Sequence, residues 1–163
     1  DTLEHSEMLF MGDSYLPENG TKEGVYLKMY GRKLYQYALN HVPGAIQAWL
    51  HKSGIPLREI KKVLIHQANG KMDDAILNRL YKLEGDLSVP VDVMPMTISW
   101  LGNSSVATVP TLLDLILKNE LDGHQIQKGD KIIFASVGAG MNINAMVYQA
   151  WIYFKLASRS ELS

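Results

Sequence analysis

Cysteine is absent from this chain. That excludes disulfides, thiolate metal ligands and a cysteine nucleophile within these residues, and it allows a reducing compartment, with the cytoplasm as the expected location. An excess of one charge sign is missing too: 16 basic side chains face 17 acidic ones, for a net charge of −1. Nothing global therefore draws the chain to nucleic acid or to an anionic membrane. No apolar run approaches the roughly 20 residues of a membrane span. The opening DTLEHSEMLF lacks the basic-then-apolar plan of a signal peptide. It also lacks an initiator methionine, as expected of a processed or cut chain. There is no Walker loop and no G-x-S-x-G elbow. His5, His41, His51 and His124 fall at no metal-ligand spacing, so no metal and no cofactor are expected.

What is present suits one domain with a real core: 163 residues, 47% apolar and 20% charged. Met8 to Met11 form an apolar run that predicts a strand, and Pro17, Gly20 and Gly24 mark a long loop after it. From Tyr30 to about Lys52, Leu34, Tyr37, Ala38, Ala45 and Trp49 recur at helical spacing, with Pro43-Gly44 expected to kink or divide the helix. Ser53-Gly54-Ile55-Pro56 reads as its stop. Val63-Leu64-Ile65 predicts a short buried strand ending at His66, and Asn69 to Leu83 an amphipathic helix ended by Gly85. Val89 to Val93 is a strand candidate, an edge or a short one because of Pro90. Ser104 to Leu117 predicts a buried helix bent by Pro110. Lys131 to Val137 and Met141 to Tyr153 read as strands of an antiparallel hairpin joined by Gly138-Ala139-Gly140, with a polar tail after Phe154 expected to fray. The alternation of strands and helices, closed by a hairpin, is α/β with a mixed sheet covered by helices.

Three junctions place polar residues where a core element meets a turn. Ile65-His66-Gln67-Ala68-Asn69 follows a strand and opens a helix, at the sheet edge where α/β folds bind ligands. Read alone, His66 is a satisfied structural histidine or a catalytic one, and Asn69 a helix N-cap. In Trp100-Leu101-Gly102-Asn103-Ser104-Ser105, Asn103 or Ser104 can cap the next helix while Gly102 makes the turn. The glycines of Ser136 to Gly140 are explained by tight backbone geometry alone.

Taken in order, HQAN after a strand, GNSS before an apolar helix and a glycine turn before the last strand resemble the β-ketoacyl-acyl carrier protein synthase III family of thiolase-fold condensing enzymes. Tyr30-Gly31-Arg32-Lys33-Leu34-Tyr35 resembles that family's GREVF-like helix opening. The likeness runs through LGNSSVATVP (101–110) and covers about Tyr30 to Tyr148.

The resemblance implies a thiolase-like half-domain, with residues 1–163 as the C-terminal half of a condensing enzyme. The N-terminal half would carry the cysteine that holds an acyl group taken from acyl-CoA. Malonyl-acyl carrier protein then loses carbon dioxide and attacks the thioester, in fatty-acid synthesis. Carried over by motif, His66 and Asn103 are the catalytic pair. They would offer an imidazole N–H and a carboxamide N–H to the enolate oxygen left by decarboxylation, each such donor being worth about 3–4 kcal/mol of barrier. Ala139 would supply a backbone N–H to the oxyanion of the acyl thioester, and Asn69 would contact the pantetheine arm. Lys71 and Arg79 would face the acidic carrier protein, although a solvated helix face accounts for both and is the preferred account of Arg79.

Val137 departs from the pattern, standing where many decarboxylating members have phenylalanine. It keeps open a secondary-metabolism relative that joins or transfers acyl groups differently. A non-catalytic module that docks carrier protein is the rival from another class. Expected partners are acyl-CoA, malonyl-acyl carrier protein, the missing half and a second copy in a homodimer, with no nucleic acid and no membrane. Since the Ser104 to Leu117 helix is apolar nearly all round, the isolated chain is expected to self-associate.

Overall fold

The computed structural model describes residues 3–15, 24–85 and 88–151. A 3-10 turn (Leu3–Met8) leads into β1 (Leu9–Asp13), which pairs antiparallel with β2 (Val25–Met29). The apolar run at Met8 to Met11 thus becomes a strand as expected, whereas β2, just past Gly24, has no counterpart in the sequence pattern. Its burial explains the omission: only Lys28 is buried, and Val25, Tyr26, Leu27 and Met29 are exposed. No inward-outward apolar alternation marks it.

α1 (Gly31–Ser53) runs unbroken through Pro43 and Gly44, so the expected division does not occur. Pro43 lies on the buried face with Tyr37, Ala38, Val42, Ile46 and Leu50, and that packing outweighs the backbone bond proline forfeits. Gly54 then ends the helix at φ 66°, its N–H bonded to the His51 and Leu50 carbonyls. Only a residue that tolerates the left-handed region fits this closure cheaply.

A three-stranded sheet orders β3 (Ile60–Ile65), β4 (Lys131–Gly138) and β5 (Asn142–Gln149). β3 and β4 are parallel, β4 and β5 antiparallel, so the sheet is mixed. The parallel pair requires a crossover. α2 (Gly70–Leu83), the short α3 (Ile98–Leu101) and α4 (Thr108–Leu117) lie within it.

Strand alternation sorts the core into two layers. Val63, Ile65, Ile133 and Ala135 pack with the buried faces of α1 and α2, while Leu64 and Ile132 pack with Leu112 and Ile116 of α4. α4 begins immediately after the 3-10 turn Ser105–Ala107, and Pro110 sits in its first turn, where the missing N–H costs little. It is buried on one side only, at Thr108, Leu112 and Ile116. Beside it an apolar pocket of ≈ 290 Å³ is lined by Leu113, Ile126, Ile132, Phe134 and Tyr148.

Val89 to Val93 is not a strand. Val91 is 96% exposed, and the segment meets β3 through a single backbone bond, Val63 N–H to the Val93 carbonyl at 2.8 Å. Pro90 cannot donate to a ladder, and Val93 alone is anchored in the core. The tail after Phe154 lies outside the described residues. No helix among the described residues is long and apolar enough to cross a membrane.

Candidate active site

β3 and β4 are parallel, so the ends that carry His66 and the glycine turn lie on one edge of the sheet. His66 extends the ladder by one bond, its N–H donating to the Ala135 carbonyl at 3.0 Å. Its half-buried ring approaches the Ser105 carbonyl through Nδ1 at 3.1 Å. Ser105 also donates its backbone N–H to Asn103 Oδ1 at 2.9 Å. One residue therefore holds both members of the expected pair, though they come from elements 37 positions apart in sequence (103 − 66). Ser105 does so at φ 52°, a backbone state that non-glycine residues seldom adopt. Thr108 Oγ1 donates to the same Ser105 carbonyl at 3.0 Å and steadies it.

The hydrogen-bond directions set what each side chain can do. Asn103 spends its carboxamide oxygen on Ser105, which leaves the NH₂ end to serve as donor. A carbonyl can only accept, so the His66 proton resides on Nδ1 and the neutral ring presents a lone pair at Nε2. Burial lowers the His66 pKa, partly opposed by the Ser105 carbonyl, and so favours that neutral ring. This differs from the expectation of a neutral imidazole N–H donor. In this geometry Nε2 donates only after the ring gains a proton.

Asn69 caps α2: its Oδ1 accepts from Lys71 N–H at 3.0 Å and from Met72 N–H at 3.4 Å. The capping reading is thus realised, and the exposed side chain stays at the same edge as His66. Lys71 and Arg79 both lie on the exposed side of α2. The glycine turn is a 3-10 turn, Ala139–Met141, with Gly140 at φ 72° and Met141 at φ 53°. Asn142 Nδ2 donates to the Ala139 carbonyl at 3.2 Å, and Ala139 itself is exposed at the edge.

One residue escaped the sequence reading. Gln67 is fully buried, donates through Nε2 to the Pro95 carbonyl at 2.7 Å, and accepts at Oε1 from Thr97 N–H at 2.9 Å and Ile98 N–H at 3.1 Å. It ties the turn after β3 to the segment that leads through α3 to Asn103. Its partners lie about 30 positions away, so only its place between His66 and Asn69 could have drawn notice. Among the described residues, no group of three or more His, Cys, Asp or Glu side chains is arranged to hold a metal ion.

Residues 50–150 match the family model described as 3-oxoacyl-(acyl-carrier-protein (ACP)) synthase III C terminal. The chain is 33% identical over 134 residues to a beta-ketoacyl-(acyl-carrier-protein) synthase III of Acaryochloris marina, covering 81% of this chain and 37% of that protein. It is 30% identical over 128 residues to the Latilactobacillus sakei enzyme of the same name, covering 78% and 36%. Among solved structures, the Thermus thermophilus synthase III superposes with a TM-score of 0.71 at 24% identity, over 91% of this chain and 43% of that one. The chain thus spans little more than a third of the curated relatives it matches. The matched region contains His66, Asn103 and the glycine turn, and on it the chain belongs to the family of 3-oxoacyl-(acyl-carrier-protein) synthase III C-terminal domains.

Proposed function

We propose that this chain is the C-terminal catalytic half of a cytoplasmic, homodimeric condensing enzyme that joins an acyl group from acyl-CoA to a malonyl unit on acyl carrier protein. The observation that carries the reading is the Ser105 junction, which holds His66 and Asn103 at the C-terminal edge of parallel strands. The covalent acyl carrier would be a cysteine of the N-terminal half, since this chain has none.

In this reading the cysteine thiolate first attacks the acyl carbon of acyl-CoA, the Ala139 N–H receives the tetrahedral oxyanion, and its collapse to the acyl thioester expels the CoA thiolate, which takes up the proton the cysteine lost. The malonyl group then loses carbon dioxide, and the electron pair of the broken C–C bond becomes an enolate. Asn103, its oxygen taken by the Ser105 N–H, would donate through Nδ2. His66 contributes through Nε2 and is the stronger partner when protonated. The enolate carbon attacks the acyl carbon and expels the cysteine thiolate, which regains its proton. Asn69 contacts the pantetheine arm beside its capping role, and Lys71, with Arg79 further along α2, meets the acidic carrier protein.

The test uses the full-length protein and separates the half-reactions. Asn103→Ala, and His66→Ala at a pH where the wild-type ring is protonated, should each slow malonyl decarboxylation by about 100-fold or more, the scale of one lost oxyanion donor. Acyl loading, followed by mass spectrometry, should change far less. Equal loss of both steps would refute the assignment. A second reading rests on Val137, which replaces the phenylalanine of many decarboxylating members. In a condensing relative that retains the carboxylate or uses a non-malonyl partner, carbon dioxide release would be absent in the wild type.

A further inference from the structure

Tyr37 of α1 is buried, and its hydroxyl reaches across the fold to donate to the Met141 carbonyl at 3.3 Å. Met141 closes the glycine turn, is itself buried, and sits at φ 53° with Gly140 beside it at φ 72°. Glycine adopts the left-handed region freely, but a non-glycine residue such as Met141 persists there only when its surroundings hold it. Side chains hold the turn from two sides. Asn142 takes the Ala139 carbonyl from within the hairpin, and Tyr37 takes the Met141 carbonyl from outside it. The Tyr37 ring is itself fixed. His41 stacks on it at 4.1 Å between centroids, and His5 meets it edge-on at 5.1 Å. His41 is locked in turn, with Nδ1 donating to the Tyr37 carbonyl at 2.8 Å. A tyrosine with this clamp brings a rigid hydroxyl to one backbone carbonyl.

We propose that Tyr37 is a positioning residue for the oxyanion turn, holding the Gly138 to Met141 backbone so that the Ala139 N–H points to the acyl thioester. This rests on the reading of Ala139 as the acyl-oxyanion donor. The geometry assigns Tyr37 no contact with substrate, and its influence passes through Met141. It should therefore act on the step that forms a tetrahedral centre at the acyl carbon, leaving the enolate donors His66 and Asn103, on other elements, undisturbed.

Tyr37→Phe in the full-length protein keeps the ring stack and removes the hydroxyl. At 3.3 Å the bond is long, so the expected loss is modest. Acyl loading should slow about three- to tenfold, the range one weak hydrogen bond supports, with KM for acyl-CoA unchanged. Malonyl decarboxylation should stay at the wild-type rate. Hydrogen–deuterium exchange of a peptide spanning Gly138 to Met141 should rise, with β3 and α2 unaltered. Loading at the wild-type rate would overturn the proposal, as would equal losses in both half-reactions or exchange raised throughout the fold, which mark a merely structural role. A wild-type protein that takes no acyl group from acyl-CoA would overturn the functional reading and this inference together. A loading-competent wild type with a silent Tyr37→Phe variant would overturn the inference alone.

Discussion

Asp73 offers a prediction whose magnitude can be worked from the structure. It lies in the first turns of α2, fully buried, and neither carboxyl oxygen has a hydrogen-bond partner among the described residues. Burial, helped by the charge on Asp74, raises its pKa from 3.8 to about 7. The positive end of the α2 dipole favours the anion by only about 0.3–1 kcal/mol, too little to offset that desolvation. About three pKa units at 1.36 kcal/mol each amount to roughly 4 kcal/mol. The sign follows from linkage. The folded state holds this proton more tightly than the unfolded one, so the contribution is full below about pH 4 and is lost as pH rises to about 7.

Asp73→Asn keeps the shape and abolishes the titration. Its unpaired amide costs about 1–3 kcal/mol, so at about pH 8 the variant should be more stable than wild type by roughly 1–3 kcal/mol. From about pH 8 down to pH 5 that advantage should shrink by about 2–3 kcal/mol, at close to 1.4 kcal/mol per pH unit below 7. Urea unfolding of the intact protein at stepped pH measures it, and the wild-type-minus-variant difference cancels groups common to both. Parallel stability curves across the range would refute the reasoning, because they would mean that Asp73 is ionised at no cost.

His66 gives a kinetic counterpart. Because Nε2 donates only on the protonated ring, and burial holds that pKa below 6.5, malonyl decarboxylation should quicken as pH falls through the region below about 6.5. The trend should vanish in His66→Ala, and a flat wild-type profile would show that the ring leaves Ser105 and donates while neutral. Gln67→Leu strands the Pro95 carbonyl and the Thr97 and Ile98 amides. At about 1–3 kcal/mol for each buried unpaired group, the two buried ones alone should lower stability by at least about 2 kcal/mol in denaturant titration. The isolated chain should self-associate through the open side of α4 and its apolar pocket, with Met146 of β5 54% exposed nearby. Light scattering over a dilution series checks this, with a monomer at high concentration as the contrary result.

Much of the framework was legible in the chain because its cues are local. The 3.6-residue recurrence along α1, the cap at Asn69, the stop at Gly54 and the glycine turn between β4 and β5 each depend on residues only a few positions apart. The ordered motifs HQAN and GNSS carried the family and the expected pair, His66 and Asn103. Where local cues pointed one way and packing another, packing prevailed: α1 continues through Pro43, and Val89 to Val93 turns instead of pairing. The chemistry of the site depended on partners that sequence distance hides. Ser105 meets His66 from 39 positions away, Gln67 meets Thr97 from 30, and Tyr37 meets Met141 from 104. Such contacts exist only once the β3–β4 crossover closes, and they decide which ring nitrogen holds a proton and which carboxylate is buried without a partner. Residue types along a chain state what chemistry is possible. Hydrogen-bond direction and desolvation, which follow from tertiary neighbours, select the part of it that this fold can use.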